Sequence, residues 1–489
     1  MVQADKWEEL IRADLCVYNL AFPVKSIQFS NEFIGGPKYQ KLYVYVKDNV
    51  GYYYENFKDH FIVGDYALNL FIKDKKKFKA YVVFWKAEFA KVKKLFVKIR
   101  KTDFEKKSNE ELAVLLDSLL KKVIYWHGIA YNVDAIDTVL NPILEKIILE
   151  TFKGEKKSRL SEIYNKLTFP NTLSYMNRMN LEKLVLLKQI KQKKISKGNK
   201  KLIKFVNDFH WVNFSWGEGI EITEEDLFVE AEKRELKEIE VELKMIKQNI
   251  DLTLEEKKVL ISRIKKSYPK IIDYLNVFEE YAVFHDLRKE GQMRSVNFIR
   301  QIYGEVAKRL NVSEKLLYYY WPEELIKLMK GNSKLDNNLL NKRSKEWICE
   351  CDSNNSLKEY FGEEAGKERA KLLDIPEEQV KEFNGIGASV GRIIGKARVV
   401  LSAKEAIAKI QVGEILVTGM TMPEFIPAMK VAGAVVTDEG GLTCHAAIIC
   451  RELGKPCVVG TKFATRTIKD GDLLEVNANH GVVKILKKQ

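Results

Sequence analysis

The chain has 489 residues, room for two to four domains at roughly 100–200 residues each. Hydrophobic residues make up 46% and charged residues 31%, so a core is available and a disordered chain is excluded. Lys plus Arg number 82 against 68 Asp plus Glu, a formal charge of +14 that admits acidic partners without naming one. Six cysteines are too few for a disulfide scaffold. Cys349 and Cys351 have no matching Cys or His pair nearby to complete a zinc site. The N-terminus, MVQADKWEELIRADL, lacks the basic stretch and apolar run of a signal peptide, and no run approaches 18 apolar residues. A soluble, cytoplasmic protein in a reducing compartment is expected.

Residues 1–105 read as a mixed segment. Lys41–Phe57, KLYVYVKDNVGYYYENF, alternates β-branched and aromatic residues around Asp48-Asn49-Val50-Gly51, which predicts a hairpin. Helical text follows from Asp65 to about Arg100, with lysines on one side and apolar residues on the other. Residues 106–383 read as a helical region. Prolines are sparse and apolar residues recur at three and four, as in Leu112–Trp126 and Glu235–Ile250. No internal repeat is visible. Within this region Lys188–Lys204 holds eight lysines and no acid, the pattern of an exposed helix–helix loop; no nucleic-acid motif accompanies it. His210, Trp211, Asn213 and Trp216 read as a buried aromatic corner. Arg288, Arg294 and Arg300 are six apart, about 240° on a helix, so they share no face and read as solvated positions.

The last hundred residues differ. Short Val/Ile/Leu-rich runs (KARVVLS, EILVTGM, AGAVVTDEG, KPCVVGT, DLLEVNA, GVVKILK) alternate with helical pieces, the pattern of a compact α/β unit. Asn384–Gly391, NGIGASVG, has the small residues of a hinge, which places a domain over 384–489.

One segment carries chemistry. Val435-Val436-Thr437 ends a buried strand, Gly440-Gly441 makes a sharp turn, Thr443 is a natural N-cap, and CHAAIICREL forms a helix stopped by Gly454. His445 then lies in the first turn. Free N–H groups there favour an anion, and the positive helix end favours a neutral imidazole with a lone pair ready to attack. Those are the needs of a nucleophile that accepts a phosphoryl group. The other histidines, His60, His127, His210, His285 and His480, are scattered without ligand spacing.

The run GGLTCHAAIICR resembles the phosphohistidine signature of phosphoenolpyruvate-utilising enzymes: phosphoenolpyruvate synthase, pyruvate phosphate dikinase and the rifampicin phosphotransferases. NGIGASVGRIIGKARVV and VTGMTMPEFIPAMKVAGAVVTDEGG resemble the start and middle of that family's swivelling domain, so the likeness covers roughly Gly385–Lys488. Val390 and Cys450 depart from it in ways that bear on packing. A fainter likeness to the family's helical linker runs through DLRKEGQMRSVNFIRQIYGEVAKRL and LLYYYWPEEL, and KFVNDFHWVNFSWGEG matches another piece of it. The resemblance implies that His445 is the phosphoryl carrier, that Gly440, Gly441 and Thr443 shape its pocket, and that Cys444 is the phosphoenolpyruvate synthase form of its position. It implies a multidomain α+β chain, largely helical at first and ending in a swivelling β/β/α phosphohistidine domain.

In the family the carrier moves between an ATP-grasp domain and a phosphoenolpyruvate-binding barrel. Only about 44 residues follow His445, too few for a barrel of about 250. The first 380 residues show neither ATP-grasp text nor a GxxxxGK[ST] loop. The expected function is therefore a phosphotransferase component, with ATP or phosphoenolpyruvate as donor and pyruvate or a small alcohol- or phenol-like acceptor. A separate ATP-grasp subunit is the expected partner, and Mg²⁺ belongs at a nucleotide or phosphoenolpyruvate site outside this chain, with no metal on it. Neither a membrane nor nucleic acid is an expected partner. The alternative is a non-catalytic regulatory or scaffold protein built on the same domain.

Overall fold

In the computed structural model the described residues are 7–13, 17, 24–48, 50–214, 221–372, 381–441 and 444–489. The predicted hairpin is present. Strands β2 (Lys41–Lys47) and β3 (Val50–Asn56) pair antiparallel with Tyr45 opposite Tyr52, and Asp48 takes the positive φ of 49° that the tight turn requires. Strand β1 (Trp7–Ala13) flanks β3. On the other side β2 pairs with β4 (Glu346–Asp352), and β4 with β5 (Leu357–Phe361), giving the order β1-β3-β2-β4-β5.

Strands β4 and β5 lie where the sequence reads as helix, so the mixed N-terminal segment and the helical region share one sheet. Both are short; the pairing that fixes β4 comes from β2, about 300 residues earlier, and β5 pairs with β4. Trp347, Ile348 and Cys349 are all buried, so β4 is covered on both faces and shows none of the polar alternation that marks a half-buried strand. Cys349 and Cys351 are buried thiols within this strand, and burial pushes both above the usual thiol range.

Ten helices in succession form the body: α1 (Phe57–Lys73), α2 (Lys75–Arg100), α3 (Asn109–Ile129), α4 (Asn132–Thr151), α5 (Lys157–Leu167), α6 (Tyr175–Lys191), α7 (Lys200–Phe209), α8 (Glu224–Lys233), α9 (Leu236–Lys265) and α10 (Ile271–Leu310). The single helix expected over 65–100 is two. Asp74 leaves helical geometry (φ −119°, ψ 82°), and its side chain accepts from the Lys77 amide to start α2. A capping box of Ser108 and Glu111 starts α3. The 40-residue α10 spans about 60 Å at 1.5 Å per residue and is the spine of the body. It is fixed by an aromatic stack: Trp85 lies 4.2 Å from Phe284 and Phe89 4.6 Å from Trp126, ring centre to centre. Gly291 is required there, because a Cβ would fall 2.3 Å from the Trp126 ring. Shorter helices α11 (Glu314–Leu317), α12 (Pro322–Met329), α13 (Asn337–Lys345) and α14 (Glu363–Leu372) follow.

The C-terminal unit is an eight-stranded sheet of β6 (Glu382–Asn384), β7 (Ile386–Ser389), β8 (Arg392–Val399), β9 (Ile415–Thr418), β10 (Ala434–Thr437), β11 (Cys457–Val459), β12 (Leu473–Asn477) and β13 (Val482–Lys487). Its order is β6-β13-β12-β8-β9-β10-β11-β7, with β8 to β11 running parallel. Helices α15 (Ala403–Lys409), α16 (Ile426–Val431), α17 (His445–Leu453) and α18 (Ala464–Thr467) complete it, and the molecule is a multidomain α+β protein.

The hinge expected at Asn384–Gly391 is not one. Asn384 pairs with Val482 and Gly387 with Val458, so this stretch forms both edges of the sheet. Its glycines serve close approach rather than freedom: Cβ atoms at Gly385 and Gly387 would fall 2.6 Å from the Val459 carbonyl oxygen and 1.8 Å from that of Ala478.

Candidate active site

Helix α17 begins at His445. The residue before it, Cys444, is the N-cap in extended geometry (φ −71°, ψ 163°), one position later than the Thr443 cap expected from sequence. Thr443 itself lies outside the described residues. Gly454 ends the helix in the left-handed conformation at φ 64°, as expected. Gly440 has φ +106°, and a Cβ there would lie 2.7 Å from Cys444 Sγ, so glycine lets the turn fold under the helix start. Among the described residues nothing lies within 4 Å of a Cβ at Gly441. Burial pushes the Cys444 thiol up, partly offset by the amides of Ala446 and Ala447. The turn is pinned from below. Asp438 is buried and accepts from the hydroxyls of Thr461 and Thr465, and the Glu439 amide donates to the Gly419 carbonyl at 2.9 Å.

The His445 imidazole is half-buried. Its Nδ1 lies 2.8 Å from Thr421 Oγ1, while its Nε2 is buried with no hydrogen-bond partner among the described residues. Burial and, second, the Lys289 ammonium of α10 push its pKa down to about 4, so the ring is neutral at pH 7. The neutrality expected from the helix end is thus imposed mainly by desolvation. In the tautomer with its proton on Nδ1, donated to Thr421, the neutral ring leaves the lone pair of the buried Nε2 uncommitted.

The Lys289 ammonium that acts on this imidazole also acts on Glu424. Glu424, in the short 3₁₀ turn Pro423–Phe425, has both carboxylate oxygens buried and unpartnered among the described residues. Burial pushes its pKa up, opposed by the Lys289 ammonium. Lys289 Nζ lies 4.0 Å from Met422 Sδ, so the body reaches the site across the seam between the two units. Asp286, one turn before Lys289, accepts from the Tyr175 amide at 2.7 Å, and burial raises its pKa to about 6. Thr421 and Glu424 sit in the TMPEF run, which the sequence ties to the domain but to no task. Lys289 lies 156 positions from His445, and no local pattern links them.

The histidines that look scattered in sequence are partly brought together. His285 Nε2 lies 2.9 Å from Asp137, and Arg288 donates to both oxygens of Asp134 at 2.7 and 2.6 Å. Gln292 contacts His127 at 2.7 Å, and His60 bonds Glu55. Arg288 and Arg294 are therefore not solvated. Arg294 reaches the carbonyls of Asn207 and Asp208 and pairs with Glu290. Because α10 is packed on more than one side, successive 240° rotations turn these two arginines to different neighbours. His210 and Trp211 are buried as expected, Asn213 is exposed, and Trp216 lies outside the described residues. The lysine-rich loop joins α6 to α7 and faces acidic text: Lys197 pairs with Glu225 and Lys188 with Glu240. No helix among the described residues is long and apolar enough to cross a membrane.

The C-terminal unit is a mobile domain of the phosphoenolpyruvate-utilising type: the model of that family, described as "PEP-utilising enzyme, mobile domain", matches residues 410–481. The chain is 52% identical over 123 residues to a probable phosphoenolpyruvate synthase of Archaeoglobus fulgidus, covering 23% of this chain and 16% of that one. It is 49% identical over 121 residues to the phosphoenolpyruvate synthase of Aeropyrum pernix (24% and 15%) and 50% over 121 residues to that of Pyrococcus furiosus (25% and 14%). It matches about a sixth of the length of these curated relatives.

Proposed function

We propose that this protein is a phosphotransferase component that carries a phosphoryl group on Nε2 of His445 between a donor, ATP or phosphoenolpyruvate, and a small-molecule acceptor. The observation that carries the reading is the His445 ring itself. Nδ1 is engaged by Thr421, Nε2 is unpartnered among the described residues, and burial keeps the ring neutral. Such a nitrogen attacks phosphorus without first losing a proton. Gly440, Gly441 and Cys444 supply the turn and cap at the ring, Thr443 is assigned to the same pocket by the resemblance, and the first-turn amides of α17 favour the bound anion.

The reading includes a partner. An ATP-grasp subunit supplies the nucleotide site, and the whole works in the cytoplasm. Mg²⁺ accompanies the donor's phosphates and neutralises their charge. On this reading the ion belongs to the donor site outside this chain.

The test is intact-mass analysis after incubation with phosphoenolpyruvate or ATP, with and without an ATP-grasp partner. One acid-labile, alkali-stable phosphoryl group should appear and map to His445. His445→Ala should abolish it with the fold intact. Undiminished labelling of that variant would refute the assignment.

A further inference from the structure

Helix α6 starts where the Tyr175 amide meets Asp286 and carries the chain about 24 Å along its axis to a lysine-rich loop at its far end. That loop and α8 enclose an open cavity of about 910 Å³. Its floor is apolar, made by Ile190, Ile195, Phe228 and Ala231, which are buried or half-buried. Its rim is basic: Lys191, Lys193, Lys194 and Lys197 line it, against one carboxylate, that of Glu232. The loop has a defined shape. Gly198 donates its amide to Glu224 at 2.7 Å, Asn199 caps α7, and Lys197 pairs with Glu225. At the end of α6 the Lys194 amide donates to the Gln189 carbonyl at 2.9 Å and the Lys193 amide to that of Ile190 at 2.8 Å, a Schellman turn. The turn puts Lys193 at φ 55°, the left-handed position that favours glycine, and Lys194 where an apolar residue is usual. Two lysines thus stand where helix termination prefers other residues, and neither has an ion-pair partner among the described residues.

We propose that this cavity is a docking site for an acidic peptide segment of a partner protein, one that carries an aliphatic anchor among its carboxylates. The anchor enters the apolar floor, and the carboxylates meet Lys193 and Lys194 at the rim. Charge and shape together select this occupant. An inorganic phosphate satisfies the lysines but leaves a cavity of this volume, and its apolar floor, unfilled. A membrane surface calls for apolar side chains that project, and here they lie below the lysines. A nucleic acid calls for an open aromatic face on which a base can stack. Phe228 is the aromatic residue of this cavity, and the Lys197 ammonium already sits over its ring, 5.7 Å from the centre. A peptide supplies both the repeated negative charge and the anchor. The site is independent of the phosphohistidine reading, and it lies at the opposite end of α6 from Tyr175.

The experiment is fluorescence anisotropy of the full chain with a labelled peptide of four glutamates and two leucines. Saturable binding that weakens as salt is raised is expected, because exposed charge pairs are screened. Replacing both leucines by serine should weaken it about 10-fold, the scale of apolar surface left in water, and hexaglutamate should bind no better than that serine peptide. The double variant Lys193→Glu, Lys194→Glu should weaken the leucine peptide about 10-fold, since each reversal removes an attraction and adds a repulsion. Lys193→Gly suits the left-handed turn, so it should raise the melting temperature while weakening the peptide about 2-fold, which separates lost binding from lost fold. Absence of saturable binding, equal binding of hexaglutamate, or unchanged affinity in both lysine variants would overturn the proposal. So would tighter binding of a uridine hexanucleotide or of tripolyphosphate than of the leucine peptide.

Discussion

Gly387→Ala separates the hinge suggested by sequence from the strand in the structure. Gly387 pairs with Val458 at the sheet edge, and a Cβ there would fall 1.8 Å from the Ala478 carbonyl oxygen. Restoring ordinary contact requires about 1.5 Å of movement between two backbones. Over-packing a core costs about 1–3 kcal/mol, and a backbone clash cannot be relieved by a rotamer, so about 3 kcal/mol is expected. At about 4–8 °C per kcal/mol for a domain of this size, the C-terminal unit should melt roughly 12–24 °C lower. The assay exploits the seven tryptophans, all of which precede residue 348. Tryptophan fluorescence reports the body and far-UV circular dichroism reports both units, so the variant should open a gap between the two melting curves. Gly441→Ala, where no described residue lies within 4 Å of the added methyl, should stay within about 0.5 kcal/mol of wild type. If Gly387→Ala melts within 2 °C of wild type but slows phosphoryl transfer, the segment is a pivot and the strand argument is wrong.

Thr421→Val keeps the shape but leaves His445 Nδ1 without its partner; labelling of His445 should slow roughly 10–100-fold, the range seen when a partner that orients a reactive histidine is removed, with the melting temperature of the body unchanged. His127 is buried in the body with its pKa pushed down to about 3 by burial and, second, by Arg288. Its unfolded pKa is near 6.5, so the unfolded chain binds the extra proton. Stability is fully present above pH 6.5 and falls as pH drops toward 3, by about 1.4 kcal/mol per unit, or roughly 2.7 kcal/mol at pH 4.5. Urea titrations of wild type and His127→Gln at pH 7 and 4.5 should show the variant losing less on acidification by about that amount; equal losses would remove His127 as the cause.

What the sequence made legible follows the range of the interactions. The C-terminal unit was readable because strand and helix alternate over short spans punctuated by glycine, and the setting of His445 because strand end, glycine turn and helix start are contiguous. The hairpin at Lys41–Asn56 was readable for the same reason. Strand β4 was not, since its partner β2 lies far back in the chain and its middle is buried on both faces, and β5 depends on β4. NGIGASVG misled because glycine serves two opposite purposes, freedom in a linker and close approach in a sheet, and composition does not distinguish them. Arg288 and Arg294 misled because a helix packed on more than one side has fewer solvated faces than its periodicity suggests. Glu424 and Lys289 left no signal, because their meeting is made by docking two units.

The pairing of β2 with β4 also sets a clock for synthesis. The hairpin of β2 and β3 leaves the ribosome early, but residues 346–352 follow about 300 residues later. At roughly 5–20 residues per second, the β2 edge waits about 15–60 s for its partner. Throughout that interval Leu42, Val44 and Val46, which end fully covered, sit on an unpaired strand edge open to nascent neighbours. Helices α1 to α10 assemble during the wait, so the sheet closes last, against a body already built. Quality control in the cell would therefore act on this edge, and a ribosome stall before residue 346 would leave an aggregation-prone chain that the finished protein never resembles.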